Sequence, residues 1–98
     1  MKYYKTRTGV VLSEIAGEYV LVAAKTLLNE CPYLTQINES SAFLWRQMED
    51  GASLDMLFKA VEDRYDLDDP AEAHQTIIAF VQQMEDMKYL DVRQMEDA

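Results

Sequence analysis

Residues 33–45 pass from strand chemistry to helix chemistry with no room for a loop, and that junction limits the architectures open to the chain. Tyr33, Thr35 and Ile37 alternate with Leu34 and Gln36, the period of two of a short strand with two different faces. Asn38 stands where a helix N-cap belongs, with Glu39 and Ser41 in the first turn and Leu44, Trp45 and Met48 at helical spacing behind it. Pro32 directly precedes the strand. Proline cannot donate to a β-ladder and is largely confined to borders, which places this strand at the edge of a sheet. An edge strand exposes unpaired N–H and C=O groups, so it is either an aggregation hazard or a docking rail for another extended chain.

The rest of the chain supplies what such a strand would border. Val10–Ile15 and Glu18–Ala23 are rich in β-branched and aliphatic residues and are separated only by Ala16-Gly17, a link of hairpin length. Residues 24–31 have weak periodicity and read as a loop. Downstream, Gly51 stops the first helix and Ser53 caps a second, whose Leu54, Leu57, Phe58, Val61 and Tyr65 form one apolar face. Asp69 caps a third, with Pro70 at its first position and Glu72 placed for a capping box. Its core stripe is Ala73, Ile77, Phe80, Met84 and Met87, flanked by a shoulder of His74, Ile78 and Val81. That shoulder either widens the core face or lines a groove beside the third strand. Lys88 to Val92 reads as a short extended tail. The order predicts an α+β domain, winged helix-turn-helix-like, with a three-stranded antiparallel sheet followed by three helices. Residues 1–8 are expected to be a flexible N-terminus, 9–92 the folded domain, and 93–98 a frayed C-terminus.

Composition narrows the chemistry. A net charge of −9 over 98 residues repels a polyanion, and residues 66–86 contain six acids and no Lys or Arg, so nucleic-acid binding is not expected. The lone Cys31 cannot form an internal disulfide and fits a reducing compartment. No secretory h-region follows the basic start and no apolar stretch reaches membrane-spanning length, so a cytoplasmic protein is expected. His74 is the single histidine and no second cysteine exists, which leaves no ligand set for a metal. Three glycines form no phosphate-binding loop, and the acidic pairs lack the spacing of a calcium loop. Neither an enzyme acting alone nor a cofactor is expected.

Several segments then resemble one family. Ile37-Asn38-Glu39-Ser40-Ser41-Ala42-Phe43-Leu44-Trp45 is similar to the Asn-Glu…Trp signature of the PqqD-like proteins, the RiPP recognition elements or precursor-peptide chaperones. Gly51-Ala52-Ser53-Leu54-Asp55-Met56-Leu57 resembles that family's entry to helix two, Tyr65-Asp66-Leu67 its exit, and Ile77-Ile78-Ala79-Phe80-Val81-Gln82-Gln83-Met84 its third helix. One departure is Met87-Lys88-Tyr89-Leu90, where the family often carries a glycine. The resemblance implies a non-catalytic module that grips the leader segment of a ribosomally made precursor peptide and presents it to a modifying enzyme, often of the radical SAM type. It also implies that the leader adds as a strand to Tyr33, Leu34, Thr35, Gln36 and Ile37, with His74, Ile78 and Val81 as side-chain contacts. Asn38 and Trp45 would then serve the fold, as cap and core anchor. The rivals are an acidic winged-helix regulatory or structural subunit, and a homodimer formed through the same exposed edge.

Overall fold

The computed structural model describes residues 1–94. Five strands and three helices follow in the order β1 (Lys2–Thr6), β2 (Val10–Ile15), β3 (Glu18–Ala23), β4 (Leu34–Ile37), α1 (Glu39–Gln47), α2 (Leu54–Arg64), α3 (Pro70–Asp86) and β5 (Leu90–Gln94). Strands β2, β3 and β4 form an antiparallel sheet in that spatial order, and β1 and β5 form a separate antiparallel ribbon. This is the α+β arrangement expected from the sequence, with the three-stranded sheet preceding the three helices.

Local chemistry accounts for the element boundaries. All three caps are made: Asn38 Oδ1 accepts from the Ser41 N–H at 2.8 Å, Ser53 Oγ from Met56 at 3.2 Å, and Asp69 Oδ1 from Glu72 at 3.2 Å. Gly51, at φ +93°, ends the α1 region in the left-handed conformation that costs glycine least. The β2–β3 link is a two-residue turn in which both Ala16 (φ 52°) and Gly17 (φ 81°) are left-handed, the twist that suits a tight hairpin. The 24–31 connection holds a 3-10 turn, Lys25–Leu27, pinned by the buried Leu27.

The N-terminus departs from expectation. Within residues 1–8, read from sequence as flexible, Lys2–Thr6 is a strand paired with β5 from Lys2↔Gln94 to Thr6↔Leu90. Its other side is also held, because Tyr4 and Ala52 exchange both backbone hydrogen bonds, at 2.8 and 2.9 Å. The expected extended tail is therefore β5, which takes in Arg93 and Gln94 of the segment expected to fray; residues 95–98 lie outside the described residues. Trp45, Tyr89, Leu21, Met48, Leu57 and Met84 are the largest fully buried side chains, so the core sits between the inner face of the sheet and the helices.

Candidate functional site

Strand β4 borders its sheet, with β3 on one side and, among the described residues, no strand on the other. The ladder phase fixes what that open side presents. Ala23 N–H donates to the Tyr33 carbonyl at 2.8 Å, and the register continues as Val22↔Leu34, Leu21↔Thr35, Val20↔Gln36 and Tyr19↔Ile37. Hydrogen-bonded and non-bonded pairs alternate in an antiparallel ladder. Tyr33, Thr35 and Ile37 therefore turn their backbone groups to β3, while Leu34 and Gln36 turn theirs outward. The phase on the far side of β3 agrees: Ala24 N–H donates to Gly9 C=O at 2.7 Å, one step out of phase with the bond of Ala23 to Tyr33. The side chains of Thr35 and Ile37 are half-buried, and those of Leu34 and Gln36 are exposed.

A buried tyrosine holds the start of this strand in place. Tyr89, just past the end of α3, is fully buried; its hydroxyl donates to the Pro32 carbonyl at 2.8 Å and accepts from Thr35 Oγ1 at 2.8 Å. Its ring meets Trp45 edge-on, with centroids 6.3 Å apart. Beside it, the Cys31 thiol donates to the Lys88 carbonyl at 3.3 Å, and Arg7 donates to the same carbonyl at 3.2 Å and pairs with Glu30 at 2.9 Å. That hydrogen bond to Glu30 holds the Arg7 guanidinium above even its ordinary value. The lone cysteine is thus part of the clamp that ties the approach to β4 to the α3–β5 turn.

Tyr89, beyond the C-terminal end of α3, meets β4 at Thr35, and the N-terminal half of α3 shares a cleft of about 460 Å³ with Asn38, the residue that follows β4. Leu44, Val61, Leu67, Ile77 and Phe80 form the apolar lining, Ala73 and Thr76 the α3 wall, and Asp66, Asp68, Asp69 and Glu72 the rim. The lining includes no Lys or Arg.

The sequence-predicted site residues separate into two groups. Tyr33, Leu34, Thr35, Gln36 and Ile37 lie together along β4 and its approach, although only Leu34 and Gln36 present backbone to the open side. His74, Ile78 and Val81 lie on the other shoulder of α3, toward α2. His74 stacks on Phe58 with centroids 4.1 Å apart and bonds Glu62 Oε1 at 3.0 Å. Val81 is buried in the core, 2% exposed, and Ile78, on the same shoulder as His74, is 46% exposed. Of the α3 residues that line the cleft, Glu72 was legible only as a capping-box residue, Ala73, Ile77 and Phe80 only as core stripe, and Thr76 not at all. Ala73, Ile77 and Phe80 belong to the apolar stripe that periodicity marks, whereas Thr76 carries no apolar signal. Among the described residues, no group of three or more His, Cys, Asp or Glu is placed to hold a metal ion, and no helix is long and apolar enough to cross a membrane.

Comparison with known proteins matches this geometry to a family. A family model described as "Coenzyme PQQ synthesis protein D (PqqD)" matches residues 9–90. No curated protein matches the chain significantly. Among solved structures, "TbiB1 in Complex with the TbiA(beta) Leader Peptide" superposes with a TM-score of 0.70 at 18% identity, over 89% of this chain and 94% of that one. "Lasso peptide synthetase B1 complexed with the leader peptide" superposes at 0.67 and 15% identity, over 93% of this chain and 98% of that one. At these identities the likeness is one of fold.

Proposed function

The chain belongs to the PqqD family, and from that premise we propose that it is a RiPP recognition element: a non-catalytic module that binds the leader segment of a ribosomally made precursor peptide as an added strand along β4. It presents the cargo to a modifying enzyme of the radical SAM type. The observation that carries the reading is the open edge of β4, where Leu34 and Gln36 turn their N–H and C=O groups away from β3. Support also comes from the two solved structures of like fold, each a complex with a leader peptide.

Magnitudes suit a carrier. The edge offers about four main-chain bonds at about 1 kcal/mol net each. One or two apolar anchors add about 1.5–3 kcal/mol apiece, and ordering a flexible leader costs about 2–5 kcal/mol. At its favourable end the balance is about 8 kcal/mol, the scale of micromolar binding, tight enough to capture and weak enough to release.

Amide exchange of the chain with and without synthetic leaders, taken from precursors encoded beside it, tests the phase. Thr35 and Ile37 amides are expected to be protected throughout, and Leu34 and Gln36 to gain protection only on binding. Gln36→Pro removes one outward donor and is expected to weaken binding about five- to tenfold with the fold intact. Unchanged exchange at Leu34 and Gln36 under saturating leader defeats strand addition at this edge.

A further inference from the structure

We propose that the cleft at the C-terminal end of β4 is a specificity pocket for one large apolar side chain of the guest segment, carried within one or two residues of a Lys or Arg. The inference rests on the strand-addition reading, and it names the guest's chemistry. Asn38, the first residue beyond β4, lines the cleft, so a chain paired along Leu34 and Gln36 ends or continues beside it. Its volume of about 460 Å³ falls in the range of ligand pockets. Its apolar lining includes Leu44, Ile77 and Phe80, and it contains no Lys, Arg or His to pair with an anion.

The rim decides what flanks the apolar group. Asp66, Asp68, Asp69 and Glu72 are all exposed around the mouth, so a cationic side chain stays hydrated while it is attracted. A Lys or Arg stem can lie on the apolar edge of the cleft with its charge among these carboxylates. An acidic guest would meet four like charges. Asp69 is occupied as the α3 cap, which leaves Asp66, Asp68 and Glu72 as the residues that select for charge.

The test is selection of random 12-residue displayed peptides on the full-length chain, followed by affinity measurement of the winners. Expected winners carry an aromatic or large aliphatic residue beside a Lys or Arg, and bind less tightly as salt rises. The triple variant Asp66→Asn, Asp68→Asn, Glu72→Gln is expected to weaken them about five- to tenfold. Thr76→Trp, which fills the cleft from an exposed position on α3, is expected to weaken them at least tenfold, and thermal melting checks that both variants fold. Winners that need Leu34 and Gln36 but have neutral or acidic flanks, or that ignore both variants, overturn the pocket and leave strand addition standing. Winners indifferent to Gln36→Pro overturn both readings.

Discussion

Tyr89 shows how much of this site depends on a single hydroxyl. Its oxygen is fully used, donating to Pro32 and accepting from Thr35, at a position with no exposure to water. Tyr89→Phe strands the Thr35 hydroxyl and removes the donor to a carbonyl beside the edge strand. Leaving buried polar groups unpaired costs about 1–3 kcal/mol. Urea unfolding is expected to register a loss in that range, and a double-mutant cycle with Thr35→Val to show strong coupling; additive losses would mean that the bridge is not made. Leader binding should weaken as well, because the variant loosens the strand that receives it. None of this was legible in the sequence. Thr35 and Tyr89 are 54 residues apart, and only the fold brings them together. By contrast Asn38, Ser53 and Asp69 were readable as caps, because each needs only the amide three residues ahead.

Among the elements, two turns are held by residues their backbones do not favour. After α3, Tyr89 N–H bonds the Met84 carbonyl at 3.0 Å and Lys88 N–H the Glu85 carbonyl at 2.9 Å, the paired bonds of a Schellman closure. Lys88 occupies its left-handed position at φ 64°, so the turn closes without a glycine. A non-glycine residue in this region costs about 1–2 kcal/mol. Lys88→Gly is expected to stabilise the protein by about 0.5–1 kcal/mol, since glycine's greater freedom when unfolded offsets part of the gain. Ala16→Asn in the β2–β3 turn should act in the same direction, because asparagine accepts φ > 0 more readily than alanine. A lower melting temperature in either variant would contradict the backbone geometry. The hairpin itself was readable from Ala16-Gly17, and so were all three helices from their apolar periods. The cleft wall on α3 was not. Periodicity finds the buried stripe but does not say which shoulder meets α2 and which meets β4, and Phe58 stacking on His74 settled that in three dimensions.

At the scale of the whole molecule, the β1–β5 ribbon joins the two chain ends and carries the long-range closure of the fold. Lys2-Tyr3-Tyr4-Lys5-Thr6 reads as an unremarkable basic lead-in because its partner is the far end of the chain, Leu90–Gln94. Its centre, Tyr4, is buried between β5 and the α1–α2 connection, where it exchanges both backbone bonds with Ala52. The ribbon also sets the clamp behind β4: Arg7 N–H bonds the Tyr89 carbonyl at 2.9 Å, one residue beyond β1. Loss of β1 should therefore be felt at the candidate site as well as in the core. Tyr4→Ala removes a buried aromatic side chain and is expected to cost about 3–5 kcal/mol, as other aromatic truncations in cores do. For a domain of this size that corresponds to a fall in melting temperature of well over ten degrees. Deleting residues 1–6 should be at least as severe, with protection from amide exchange lost along Leu90–Gln94 first. If the deletion instead left both the melting temperature and leader affinity unchanged, β1 would be an ornament on a core complete without it, and the clamp around Tyr89 would be independent of the N-terminus.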